Sequence, residues 1–370
     1  MKRCLLFLFL LYSSLAWGQA PAPRYRNLVM EGGGIRGIAY GGALLELEQR
    51  GVLAGIERVG GTSAGAIQAA LLAVGYSAQE IIEVVNRTPV QRLNDGRYLF
   101  VGGGTRLLRQ YGWYRGDQFT RYLSELVARK TGNPNLTLGQ LHQLATQGRG
   151  RDLYVTGTNL TTQRVQVFSH ETHPDLRVAD AVRISMSIPL YFRAVLLDEQ
   201  GHVVHKPAPG QAVQVLVDGG LLANYPIDLF DHPRYLLAGG GEQLVTTSVV
   251  TKREGIRKDV TSPLPSASSV FNPETLGLRL DRAEQIALDT ARTGRQALAP
   301  YQIHDFGSYV GALYNVAIEN LNPARPEDWA RTISISTLGF NPRIKRISDE
   351  QKQQLLSSGQ QGVQTFFRAQ

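Results

Sequence analysis

Asn27-Leu-Val-Met30 runs straight into Glu31-Gly-Gly-Gly-Ile-Arg-Gly37, and this junction sets the fold. A short apolar run ending in a glycine loop signals a buried strand, and residues 38–50 follow as a helix that Gly51 stops. The pattern then returns. Residues 56–59 form a second strand, Gly60-Gly-Thr-Ser-Ala-Gly65 a second glycine turn, and residues 66–74 a second helix closed by Gly75. Two strand–loop–helix units in succession specify an α/β chain whose glycine loops sit at neighbouring strand tips.

Outward from this pair, Ser77-Ala-Gln-Glu80 is a capping box opening a helix to about residue 86. Residues 88–116 are irregular and aromatic-rich. Asp117 is expected to cap a helix to about 130, and Thr137 another to about 146. Residues 153–158 and 164–168 read as paired strands, and 176–185 as a helix running up to Ile188-Pro189. Residues 213–217 are a strand meeting Asp218-Gly219-Gly220, and 244–250 are another, followed by a Pro/Ser-rich surface loop at 261–269. Two long helices are expected at 273–296 and 309–321, then a strand at 333–336 and a terminal helix from Ser348 to about 367. Strands alternate with helices and no internal repeat is present, so the expected class is α/β with a mainly parallel sheet.

Over 370 positions, 43% hydrophobic and 19% charged residues exclude a disordered chain and allow one large domain or two modest ones. A formal charge of +8 leaves anionic partners open, either nucleic acid or a lipid surface. Cys4 is the single cysteine, which excludes an intramolecular disulfide and a cysteine-ligated metal site. Lys2-Arg3 precede an unbroken Leu/Phe run over 5–11 and then small residues at Gly18 and Ala20, the layout of a secretory signal peptide over 1–20. The run is about half the roughly 20 apolar residues a bilayer span needs. Export to the periplasm or the medium is therefore expected, with a spacer at 21–25, a domain at 26–370, and a formal charge of +6 once Lys2 and Arg3 are removed.

Gly61-Thr-Ser-Ala-Gly65 is the G-x-S-x-G of a nucleophile elbow, in which flanking glycines let Ser63 sit at a strained strand-to-helix corner. The first loop has two chemical readings. Gly32, Gly34 and Gly37 satisfy the dinucleotide fingerprint, with Glu57 about twenty residues on as the ribose-binding acid. Alternatively, the backbone N–H groups of Gly33, Gly34 and Ile35 point at a carbonyl attacked by Ser63 and form an oxyanion hole. Arg36 adds positive charge there or forms a surface ion pair. The serine elbow directly after Glu57 favours the second reading.

A serine nucleophile needs a proton acceptor. Among His142, His170, His173, His202, His205, His232 and His304, the late-chain His304 is the natural candidate, but it sits in Ile303-His-Asp305 with no strand-end signal. The i, i+3 pairs His170/His173 and His202/His205 lack further ligands, so no metal site is expected. Asp218 ends an apolar strand and precedes Gly219-Gly220, which lets the backbone approach another segment closely. An ordinary carboxylate is a weak base at neutral pH unless its surroundings desolvate it.

Taken together, Gly32–Gly37, Gly61–Gly65 and Asp218–Gly220 resemble the G-G-G-x-R/K-G, G-x-S-x-G and D-G-G/A motifs of the patatin-like phospholipase family. Residues 181–189 and Asn224-Tyr-Pro226 agree with it, and the likeness runs from about residue 26 to 230, with a weaker echo at 348–367. The resemblance implies a single three-layer domain with helices flanking the sheet; residues 271–330 lie outside the likeness and read as a helical elaboration of unknown role. It implies hydrolysis of carboxylic esters of acyl lipids by a Ser63–Asp218 dyad through an acyl-enzyme. The oxyanion would be held by the loop Gly32, Gly33, Gly34, Ile35, Arg36 and Gly37, with no metal, histidine or cofactor.

Tyr98, Phe100, Tyr111, Trp113, Tyr114, Phe119 and Tyr122 interleave with Arg97, Arg106, Arg109, Arg115 and Arg121. Such a mixture suits a flap or peripheral contact with a membrane surface, or equally a long loop packed on the core. No nucleic-acid motif is present. The competing functions are an NAD(P)-binding oxidoreductase using Gly32, Gly34 and Gly37, and a non-catalytic secreted binding protein.

Overall fold

The computed structural model describes residues 24–88, 94–95, 107–108, 111–236, 270–305, 308–309, 312–313, 315–316, 325–342 and 346–369. The segment read as an export signal, the strand expected at 244–250, the loop at 261–269 and most of the helix at 309–321 lie outside the described residues.

The strands in chain order are β1 (Asn27–Met30), β2 (Arg58–Gly61), β3 (Gly112–Tyr114), β4 (Asp152–Asn159), β5 (Arg164–Phe168), β6 (Leu190–Phe192), β7 (Val195–Leu197), β8 (Gln214–Asp218), β9 (Thr275–Asp281) and β10 (Thr332–Ser336). The helices are α1 (Ala39–Gln49), α2 (Val52–Gly55), α3 (Ala64–Ala73), α4 (Ala78–Arg87), α5 (Asp117–Thr131), α6 (Leu138–Thr146), α7 (Val178–Ser185), α8 (Ala283–Ala291) and α9 (Asp349–Arg368). Eight strands form one sheet in the order β10-β9-β1-β2-β4-β8-β7, with β5 paired to β4, and β3 pairs β6 apart from it. The run from β10 to β4 is parallel, whereas β8, β7 and β5 join antiparallel.

Alternation along β1 builds the layers. Leu28 and Met30 face the large core that α1, α3 and α9 cover, while Val29 faces the opposite cluster of Tyr154, Val167, Leu229, Phe230 and Tyr235. Both faces of the central strands are therefore dry, as a parallel sheet requires. The capping box foreseen at Ser77 is present, and the helix starts expected at Thr137 and Ser348 are capping boxes as well.

Three expectations need correction. β2 starts two residues later than the run 56–59, so Gly60 and Gly61 pair within the sheet. Gly116, in the left-handed region, caps α5 in place of Asp117, and the Asp95 carboxylate accepts from the N–H groups of Gly116 (2.6 Å) and Gln118 (3.0 Å). The largest concerns 273–296, expected as one helix within a helical elaboration. Its first part is β9, buried along its whole length between β1 and β10, and only α8 is helical. Leu276, Leu278 and Leu280 alternate with Gly277, Arg279 and Asp281, which is strand periodicity. The charges that disguise it are neutralised inside the fold, with Asp281 paired to Arg279 (3.5 Å) and Arg295, and Arg295 also to Asp289 (2.8 Å).

Candidate active site

Ser63 stands between β2 and α3 with φ +50° and ψ −116°, a left-handed conformation that costs a non-glycine residue energy and marks a functional corner. The strain is held by neighbours. The Ser63 N–H donates to Ser185 Oγ (2.9 Å), Gly65 N–H to the Thr62 carbonyl (2.8 Å), and Thr62 Oγ1 contacts Thr156 Oγ1 (2.5 Å) and the Ala223 carbonyl (2.7 Å). A Cβ on Gly65 would lie 2.2 Å from the Met30 carbonyl oxygen, so only glycine lets the elbow close against β1.

Asp218 reaches the same place from the opposite direction. β8 runs antiparallel to β4, and Asp218 pairs with Gly157, two residues beyond the Val155 that pairs with Gly61. The Ser63 side chain lies beside the Asp218 carboxylate, and Gly220 N–H donates to its Oδ1 at 2.7 Å. Burial pushes the carboxyl up to about 7, with the Gly220 N–H and the Ser63 side chain opposing the shift. A base of that strength is matched to proton transfer near neutral pH. Gly219 is required here because its Cβ would lie 2.5 Å from the Thr156 carbonyl.

The segment 181–189 connects both groups. Ser185 holds the Ser63 N–H, and the Ser187 carbonyl accepts the Asp218 N–H at 3.0 Å. Arg183, buried beneath them, donates to Ser187 Oγ and to the carbonyls of Arg115 and Arg193 (both 2.8 Å). Burial lowers its guanidinium to about 10.

The first glycine loop lies alongside, since a Cβ on Gly32 would come within 3.4 Å of Ser63 Cβ. Gly32 N–H donates to the Asn224 carbonyl (3.0 Å), so it is already used. The N–H groups of Gly33, Gly34 and Ile35 make no hydrogen bond among the described residues. Gly34 has φ +55°, and a Cβ there would collide with the Pro342 carbonyl. Arg36 Nε curls back to the Gly33 carbonyl (3.1 Å) and so steadies its own loop. Gly37 packs on Ala64, where a Cβ would approach to 2.8 Å.

Sequence reasoning missed Glu31. Its carboxylate is buried, accepting from Leu280 N–H (2.7 Å) and Asn224 Nδ2 (3.0 Å), and it ties the glycine loop to β9 and to the segment after Asp218. An acid placed directly between a fully buried strand and a glycine loop is the signal that was there to find.

Ser63 opens onto a cavity of about 950 Å³. Its walls include Ile35, Ile38, Ile67, Leu71, Val84, Phe119, Leu123, Met186 and Phe192, and Arg87, Arg346 and Lys352 stand among its polar lining. None of the seven histidines lines it. His304 is exposed and contacts Gln302 (3.2 Å), and His202 faces Asp198 (3.4 Å). His173 contacts Gln166 at 3.1 Å. Glu57 pairs with Arg26 (2.5 Å) immediately before β2, at the sheet end remote from the glycine loop, so it cannot serve a ribose there.

The fold is an α/β scaffold with a central sheet flanked by helices, shared with VipD from Legionella pneumophila at a TM-score of 0.55 and 17% identity, over 94% of this chain and 67% of that one. The patatin-like phospholipase family model matches residues 28–231, more than half of the chain, and the chain belongs to that family. It is 34% identical to the uncharacterized protein YqhO of Bacillus subtilis strain 168 over 57% of this chain and 68% of that protein. It is 30% identical to the uncharacterized protein R571 of Acanthamoeba polyphaga mimivirus, and the match spans 56% of this chain and 61% of the other. For the probable lipid hydrolase 463L of invertebrate iridescent virus 6 the identity is 26%, over 55% and 63%. The matched region ends before β9, the strand that the sequence pattern also failed to reveal.

Proposed function

We propose that this chain hydrolyses carboxylic esters of acyl lipids, with Ser63 as nucleophile and Asp218 as the base. The observation that carries the reading is the Ser63 side chain beside a buried, strengthened carboxylate at the mouth of a large apolar cavity. Asp218 takes the hydroxyl proton as the Ser63 oxygen bonds to the acyl carbon, and the free N–H groups of Gly33 and Gly34 receive the oxyanion. Collapse expels the alcohol, which leaves with the proton from Asp218. Water then attacks the acyl-enzyme, giving a proton to Asp218, which passes it to the Ser63 oxygen as the fatty acid leaves. The cavity accommodates the acyl chain, and the cations Arg87, Arg346 and Lys352 favour a phosphate-bearing substrate over a neutral ester.

The test is fluorophosphonate labelling and phospholipid turnover with wild type, Ser63→Ala and Asp218→Asn. Labelling and turnover by the wild type alone are expected; an unlabelled wild type overturns the reading.

Peripheral membrane contact belongs to the same proposal. Tyr114 packs on Tyr191 (4.9 Å) and Phe192 (6.2 Å), so it serves the fold, and the apolar side chains offered to a bilayer are Leu108, Tyr111 and Leu190. Gly112 pairs with Leu190, so Tyr111 and Leu190 crest one small sheet. Vesicle flotation of Tyr111→Ser/Leu190→Ser is expected to fall, and unchanged flotation removes this surface from the account. Export rests on the sequence of residues 1–20, and cell fractionation of the full chain tests it.

A further inference from the structure

A second cluster lies at the far end of β4. Asp152 is the first residue of that strand, His142 stands on α6, and His170 follows β5 in the next turn. Asp152 lies five steps along the strand from Gly157, the partner of Asp218, which is about 17 Å at roughly 3.3 Å per residue. The cluster therefore takes no part in the chemistry at Ser63.

Its geometry is specific. Asp152 Oδ1 lies 2.8 Å from His142 Nδ1 and 3.6 Å from His170 Nδ1, and the three donor atoms fall within 4.8 Å of one another. A tetrahedral ion with ligand bonds of about 2.0–2.2 Å holds its donor atoms about 3.3–3.5 Å apart, and the two observed separations bracket that edge. His170 Nδ1 is buried and makes no hydrogen bond among the described residues, so it carries a desolvation cost that nothing offsets. Burial also favours the neutral imidazole, the form that ligates. Glu171 and Arg58 face His170 with opposite charges, which leaves the Asp152 carboxylate as the net charge of the site.

We propose that His142, Asp152 and His170 bind a divalent transition ion of the zinc class, with the remaining position open to solvent beside the half-exposed His142. Two imidazoles and one carboxylate are a borderline-soft donor set, suited to zinc and poorly suited to calcium or magnesium. In the structure the two rings stack in parallel, with centroids 3.8 Å apart and planes 6° from one another. Binding makes the rings splay so that both Nδ1 lone pairs converge on the ion, and His142 then carries its hydrogen on Nε2. The ion joins α6, the start of β4 and the turn after β5, adding to the β4–β5 pairing and to the backbone bonds that Leu138 and Gly139 donate to Leu176 and Pro174. It acts as a structural staple.

The test uses the purified, untagged chain stripped with a chelator. Zn²⁺ titrated calorimetrically is expected to bind one equivalent and raise Tm, and Co²⁺ to give the visible absorption of a four-coordinate site. His142→Ala and His170→Ala should each weaken binding at least about 10- to 100-fold, the loss that even outer-sphere partners cause. Ester turnover should not change, and Mg²⁺ should not compete. Asp152→Asn provides a third variant, with circular dichroism confirming the fold of each. Absence of one-to-one Zn²⁺ uptake, or uptake that survives the histidine substitutions, overturns the proposal.

Discussion

The two flanks of β1 are held by opposite physics. On the β2 side, backbone meets backbone. Gly65 closes against the Met30 carbonyl and Gly37 against Ala64, so the contact is possible only without a Cβ. On the β9 side, long charged side chains are buried. Arg331, 1% exposed, is bonded to Asp231 (2.6 and 2.8 Å), Asp328 (2.6 Å) and the Asn272 carbonyl (2.9 Å). Close backbone approach leaves its signature in the local sequence, whereas a buried ion network is spelled by residues scattered along the chain. The first kind of flank is therefore readable in advance and the second is not.

The contrast can be broken at its strongest point. Ser63→Ala should leave Tm unchanged within about 1 °C, or raise it by relieving the local pattern of polar contacts, yet lower phospholipid turnover by about 10⁴-fold or more. A comparable loss of stability would mean that the serine belongs to the fold and not to the chemistry. On the other flank, Arg331→Ala strands two buried carboxylates and should cost about 3–5 kcal/mol in denaturant unfolding. Turnover per folded molecule should stay near wild type, because the network touches no atom of the site.

Glu31 bridges the two flanks, so it sharpens the comparison. Glu31→Gln keeps the shape but presents one N–H₂ face to groups that themselves donate, Leu280 N–H and Asn224 Nδ2. We expect kcat to fall about 10- to 100-fold with KM little changed, as befits a residue that positions the glycine loop. A change in KM alone would place its influence on substrate binding instead.

The smallest effect concerns pH. Asp218 must be ionised to accept a proton, so kcat/KM should rise with pH through about 7 and level off above it. The stability effect has the opposite direction. The folded-state carboxyl holds its proton to about 7, against 3.8 for the ordinary group, so folding is favoured at low pH and this contribution is lost as pH rises through 7. Asp218→Asn, which cannot ionise, should be up to about 4 kcal/mol more stable than wild type at pH 8 and indistinguishable at pH 3.5. Equal stability at both values would show that the buried carboxylate is not penalised by its site.

Much of the candidate site was legible. The strand 27–30, the elbow at Ser63, the aspartate at Asp218 and the three glycine motifs all stand where the sequence reading put them. The helix expected at 273–296 failed for a stated reason, because Arg279 and Asp281 look like a solvent face only until their partners Arg295 and Asp289 are brought in. The cap of α5 failed likewise, since Asp95 lies 21 residues from the N–H it receives. His170 was set aside for want of further ligands, and the fold supplied His142 and Asp152 from other elements.

By itself the sequence determined the local backbone: which strands end in glycine turns, where a serine is forced into a left-handed corner, and which helices carry their own caps. These properties depend on sterics within a few residues. Only the tertiary structure decided that an antiparallel β8, in register with Gly157, delivers Asp218 to Ser63, and that the carboxyl arriving there is buried enough to be a base near pH 7. Register and desolvation are sums over contacts from distant segments, so no local stretch of sequence contains them.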